Sequence, residues 1–157
     1  MEIVFSVADL KQIENLKSRY PETKAAVMPV LWLAQKKFGW ISDDVKKLVA
    51  DTLKLPYSHV HGVVSFYTMY YKKPMGKYHI QVCTNVSCMI NGGEDTLKFL
   101  NSELGITNNE CTADGKFSLE EVECMGACGE APMVAINQDF YESTDKSKIL
   151  SILNSLE

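Results

Sequence analysis

Four of the five cysteines fall into two close spacings, Cys83-x4-Cys88 and Cys124-x3-Cys128. Each pair begins where a strand-like run gives out. "KYHIQVC" alternates Tyr78, Ile80 and Val82 with His79 and Gln81 and closes on Cys83, and "FSLEEVEC" closes on Cys124. Neighbouring strands of one sheet would set both loops at a single edge, where four thiolates surround one small cofactor. This demand, that two strands end side by side, restricts the fold more than any other feature of the chain. An odd cysteine count argues against a disulfide framework. The absence of C-x-x-C argues against a dithiol redox pair. Cys111, in a polar loop beside Asn108 and Asn109, reads as a spare thiol.

Two kinds of group meet such a donor set. Zinc takes four tetrahedral thiolates, usually from tight knuckles. A [2Fe–2S] cluster is longer, with two thiolates on each iron, and the wider x4 and x3 spacings suit it. Gly126 and Gly129 let backbone N–H groups approach the sulfurs, where hydrogen bonds offset thiolate charge. The alternative for any one cysteine, a small buried hydrophobe, does not account for four in two compact pairs. Three histidines, His59, His61 and His79, are not needed as ligands when four thiols are present. His59 and His61 read as helix-surface or subunit-contact residues.

Two stretches of different character flank "KKPMGK", where Pro74 and Gly76 mark a seam. Residues 1–72 read as helical. Leu10, Ile13 and Leu16 or Lys17 mark one short amphipathic helix; Val27, Val30, Leu31, Ala34 and Phe38 form a second face, with a kink predicted at Pro29 and a stop at Gly39. Ser42 caps a third helix through Val45, Leu48, Val49 and Leu53, and Val60, Val63, Val64 and Tyr67 carry a fourth. Of the aromatic run, Phe66 and Tyr67 are predicted to be core, while Tyr70 and Tyr71 suit either core or a partner patch. Residues 77–157 mix strand and helix in the order β-α-β-β-(β)-α. "NNECTADGKF" is read as loop, and 145–156 as the closing helix.

A net charge of −4 and the lack of a Lys/Arg cluster leave no electrostatic case for nucleic acid. Apolar runs fall well short of the roughly 20 residues that cross a bilayer. "MEIVFSVADLKQ" lacks a basic n-region ahead of an apolar stretch, so no secretory signal is expected and the protein reads as soluble and cytoplasmic. There is no G-x-G-x-x-G after a strand and no P-loop. Gly92-Gly93 is better explained by close backbone approach to the cofactor. Glu121, Glu123 and Glu130 lie near the second cysteine pair; facing a cluster, they would disfavour its reduction and predict a low potential.

"CTNVSC", "ECMGACGEAP" and the preceding "DGKF" resemble the thioredoxin-like [2Fe–2S] ferredoxin family. These are the E-type subunits of NADH:quinone oxidoreductase (respiratory complex I) and the small subunits of NAD-linked hydrogenases and formate dehydrogenases. "LAQKKFGWIS" and "HVHGVVSFYTMY" are similar to that family's helical region, so the resemblance covers nearly the whole chain. It implies an α/β (α+β) fold: a helical bundle over 1–72, then a thioredoxin-like [2Fe–2S] domain over 77–157 with a four-stranded sheet flanked by helices. It further implies that Cys83, Cys88, Cys124 and Cys128 are the cluster ligands. The implied role is electron transfer within an NADH-oxidising enzyme complex, without a complete active site on this chain. The implied partner is a flavin-binding subunit that carries FMN and takes NAD, at the cytoplasmic face of the membrane. Met125 stands where the family often has leucine, an apolar replacement of similar volume. Two other roles remain open on the residues alone: a zinc-stabilised interaction module, and a free-standing ferredoxin.

Overall fold

Ser6 opens the first helix, α1 (Val7–Lys17), in a computed structural model that describes residues 3–156. Its hydroxyl accepts from the Asp9 N–H while the Asp9 carboxylate accepts from the Ser6 N–H, a capping box that satisfies donors a bare helix start leaves open. Residues 1, 2 and 157, the outer ends of the two expected domains, lie outside the described residues. The chain divides into two compact units, Met1–Pro74 and Met75–Glu157.

The first unit is helical. A 3-10 turn, Thr23–Ala26, runs into α2 (Val27–Phe38), followed by α3 (Asp43–Leu53) and α4 (Tyr57–Phe66). Pro29 is only the third residue of α2, so its missing N–H belongs to the first turn. The break expected inside the run falls instead at the changeover from 3-10 to α-helix just ahead. Ser42 caps α3 through the Val45 N–H, 3.2 Å away. Ile13, Val30, Leu31, Ala34, Val45, Val49, Val60 and Val64 pack together as the core.

The aromatic run after α4 differs from the sequence expectation. Phe66 is 78% exposed, whereas Tyr70 is the large side chain at the centre, 1% exposed with its hydroxyl donating to the Met28 carbonyl at 3.0 Å. Tyr67 is half-buried against the core. The cause is Gln35. Its buried amide donates to the Met69 carbonyl at 3.0 Å and accepts from the Tyr71 N–H at 2.7 Å. The Tyr71 carbonyl accepts from the Ile41 N–H. With these groups paired outside a helix, the segment leaves helical geometry at Phe66 and turns Tyr70 inward.

The second unit holds a five-stranded mixed sheet of order β2-β3-β1-β4-β5. The strands are β1 (Tyr78–Cys83), β2 (Glu110–Cys111), β3 (Phe117–Val122), β4 (Val134–Ile136) and β5 (Asp139–Tyr141). One more strand is present than the four expected. The two-residue β2, inside the segment read as loop, pairs antiparallel with β3 and sets Cys111 opposite Ser118. β1 pairs parallel with β3 and antiparallel with β4. Ile80, Val82, Leu119, Val134 and Ile136 form the second core with Leu100 of α6 (Gly93–Leu104) and Ile149 and Leu153 of α7 (Lys146–Ser155).

β1 is central, so its alternate residues are not free for solvent. His79 is 2% exposed, its Nδ1 2.9 Å from Ser118 Oγ and its Nε2 2.9 Å from Glu120 Oε2; Gln81 Nε2 donates to the same carboxylate at 3.0 Å. These polar residues occupy paired positions on β1 and β3, opposite the apolar face that Ile80 and Leu119 supply.

Replacing Gln35 with leucine would strand the Met69 carbonyl and the Tyr71 N–H. We expect Gln35→Leu to cost about 1–3 kcal/mol, the usual penalty for unsatisfied buried groups. Urea unfolding of the full chain measures it, and an unchanged midpoint would show that the amide does not hold this segment.

Candidate metal centre

Parallel pairing of β1 with β3 decides where the cysteines lie. Cys83 is the last residue of β1 and sits in register with Val122, the last of β3. Parallel strands end on the same side, so both chains leave the sheet at one edge. Cys124 follows two residues beyond the end of β3 rather than at its last position. Cys128 opens a 3-10 turn, Cys128–Glu130. Cys88 sits in a short helix the spacing did not predict, α5 (Val86–Ile90), which Asn85 caps by accepting the Val86 N–H at 2.8 Å. α5 packs against the 3-10 turn, so the first loop meets the second.

The thiols stand as two pairs of different character. Cys83 and Cys88 are each 2% exposed and pack with Met133, with Met125, Ala127 and Ala131 alongside. The Cys83 N–H donates to the Met133 carbonyl at 3.1 Å. Burial pushes the Cys88 thiol up, the neighbouring Cys83 thiol adds to this, and a backbone hydrogen bond from Met133 opposes it. Cys124 and Cys128 are exposed, with their sulfurs 3.3 Å apart. The Gly126 N–H donates to Cys124 Sγ at 3.3 Å. That donor, and then the Cys128 thiol, hold Cys124 below the usual thiol range, while Cys124 pushes Cys128 up. Cys83 adds a smaller upward push on Cys128, and Cys128 a smaller one on Cys88. Among the described residues no three His, Cys, Asp or Glu side chains gather tightly enough to hold one metal ion.

This donor set fits a group larger than a single ion. Two thiol pairs sit on loops that pack together through α5 and the 3-10 turn, and one sulfur already accepts a backbone N–H. The outer loop has room around it: a Cβ built on Gly126 or Gly129 meets nothing within 4 Å, and Gly126 has a φ of +88°, a conformation that favours glycine. The inner loop is tight. A Cβ on Gly93, the first residue of α6, would lie 2.6 Å from the Cys83 carbonyl oxygen and 2.9 Å from that of Cys88. Gly93 thus serves close packing of α6 against the first cysteine loop, while Gly92, with a φ of +95°, supplies the left-handed turn ahead of it.

Three acidic residues near the second pair act as ties. Thr84 Oγ1 donates to Glu121 Oε1 at 2.7 Å, and Asn85 Nδ2 to Glu123 Oε2 at 2.8 Å. Both bonds run from the loop after Cys83 to the chain entering Cys124, and so link the two cysteine loops directly. Glu130 accepts from Ser143 Oγ at 3.2 Å. Sequence spacing showed the carboxylates but not the donors of Glu121 and Glu123, which come from a loop about 40 residues earlier. The Ala131–Pro132 peptide, where the second loop ends, is cis. Cys111 is exposed on β2 and hydrogen-bonds with none of the other four thiols. His61 lies on α4 beside Lys46, Tyr57 and Ser65, within the helical unit.

Comparison with known proteins gives the family. The model of the thioredoxin-like [2Fe–2S] ferredoxin family matches residues 13–157, and the chain belongs to that family. Among its relatives, the E-type subunit of NADH-quinone oxidoreductase from Rickettsia bellii (strain RML369-C) is 41% identical over 155 residues, covering 97% of this chain and 93% of that protein. The second E-type subunit of the same enzyme from Rhizobium meliloti (strain 1021) is 39% identical over 145 residues, covering 92% and 86%. The crystal structure of an NAD+-reducing [NiFe]-hydrogenase in the air-oxidised state superposes with a TM-score of 0.72 over 83% of this chain. At 19% identity it shares the fold, and the match spans 22% of the hydrogenase chain.

The packing at Gly93 yields a test of the inner loop. Gly93→Ala forces two backbone carbonyls to move, and we expect a loss of about 1–3 kcal/mol, as for other overpacked sites. Denaturant titration reads the loss; a variant as stable as the parent would show that the loop is not tightly set there.

Proposed function

We propose that Cys83, Cys88, Cys124 and Cys128 hold one [2Fe–2S] cluster, and that the chain is an electron-transfer subunit of an NADH-oxidising complex. One observation carries this reading: the two cysteine loops leave neighbouring parallel strands at one sheet edge, where α5 of the first packs against the 3-10 turn that Cys128 opens in the second. When bound, such a cluster accepts and returns one electron at a time. The residues supply the rest. The buried pair, at the end of β1 and within α5, fixes one end of the site, and the exposed pair leaves the other end open towards a partner. The Gly126 N–H places a positive dipole on Cys124 Sγ, which favours added negative charge there.

The sequence offers no phosphate-cradling motif, so the nucleotides are assigned to a partner. The flavin-binding subunit is proposed to hold FMN and to take NAD, handing single electrons to this chain. The 41% identity to an E-type subunit over nearly the full length supports the quinone-reducing complex over the hydrogenase and formate dehydrogenase alternatives. A place at the cytoplasmic face follows from that assignment; among the described residues no helix is long and apolar enough to cross a membrane. The domains are proposed as a helical bundle over 1–72 and a cluster-binding domain over 77–157. The zinc module is disfavoured because one tetrahedral ion needs four converging sulfurs, whereas here they stand as two pairs.

Electron paramagnetic resonance of the dithionite-reduced full chain tests the ligand set. Serine at position 83, 88, 124 or 128 should abolish or alter the signal, and Cys111→Ser should leave it unchanged. A signal that survives any of the first four unaltered, or is lost with Cys111→Ser, would overturn the assignment.

A further inference from the structure

The two cysteine pairs differ in what can reach them. Cys83 and Cys88 are each 2% exposed. Cys83 is locked at the end of a central strand by its bond to Met133, and Cys88 is set in α5 against the backbone that crowds Gly93. Thiol–disulfide exchange needs access for the reagent, which this inner pair denies. Cys124 and Cys128 are both exposed. Their sulfurs are 3.3 Å apart, about 1 Å beyond a disulfide bond. The loop between them has open space at Gly126, so it can take up a shift of that size.

We propose that in the cluster-free chain Cys124 and Cys128 close reversibly into a disulfide that bars cluster insertion, while Cys83 and Cys88 stay reduced. The inference rests on the four cysteines being the ligands. The oxidant is a low-molecular-weight disulfide, such as glutathione disulfide. One thiolate of the pair attacks it, forming a mixed disulfide and releasing one glutathione thiol. The second cysteine then displaces the other glutathione. Two electrons and two protons pass from the pair to the oxidant, which leaves as two thiols. The closed pair offers no thiolate to iron, so two of four ligands are lost until a dithiol reopens it. Insertion is thereby tied to reducing conditions at the exposed end of the site.

The test uses the full chain, freed of cluster by a chelator under reductant and shown by circular dichroism to be folded. It is exposed anaerobically to glutathione disulfide, alkylated and mapped by mass spectrometry. Alkylation follows an acid quench and unfolding, so that burial does not mask a free thiol: Cys83 and Cys88 should then be alkylated, and Cys124 and Cys128 linked to each other. Cys111, being exposed, is replaced by serine so that it cannot form mixed species. Cys124→Ser should abolish the link. Visible absorbance then follows uptake of ferrous iron and sulfide: the oxidised chain should fail to load, and dithiothreitol should restore loading. A link between other cysteines, no link at all, or loading that is unaffected by the disulfide overturns the proposal. If neither form loads while the link maps to Cys124 and Cys128, the gating fails together with the ligand assignment.

Discussion

The parallel register of β1 with β3 is the constraint on which the site depends. With Cys83 opposite Val122, the two chains leave the sheet together and their loops share one edge. A shift of one residue would turn the alternate side chains of a strand to the other face. Here it would move Ile80 out of the apolar core and His79 away from Ser118 and Glu120. Both faces of the pairing therefore specify the same register: an apolar ladder on one side and a hydrogen-bonded polar ladder on the other. The polar ladder has no part in the chemistry proposed, but it fixes where the cysteines arrive.

From that edge, the site is built with one firm half and one open half. The first loop is held by the Met133 backbone, by α5 and by the approach of α6 that Gly93 permits. The second loop is tethered to it by two side-chain bonds, Thr84 to Glu121 and Asn85 to Glu123. Those carboxylates carry charge near the sulfurs, yet each is already engaged by a donor. Their immediate effect is to align the loops. This division matches what an electron-transfer site requires: a fixed anchor for the cofactor and an outward side through which electrons pass to a partner.

Much of this was legible in the residues. The strand ending on Cys83, the helix stop at Gly39, the Ser42 cap and the pairing of cysteines all come from local patterns that the structure repeats. What was hidden depends on distant partners. Phe66 heads an aromatic run and so reads as core; Gln35, some 30 residues earlier, pairs with the backbone of Met69 and Tyr71 and holds Tyr70 inside instead. α5 is five residues long, too short for apolar periodicity to declare itself. β2 is two residues long and exists through its pairing with β3. The difference between the buried and exposed cysteine pairs has no sequence signal at all, since the two spacings are nearly the same.

The central claim is that four thiols from two loops share one binuclear cluster. Metal and acid-labile sulfide analysis of the anaerobically purified chain tests it most directly. The account predicts about two irons and two sulfides per chain, the composition of a [2Fe–2S] centre. Zinc bound in place of iron, with no labile sulfide, would contradict it.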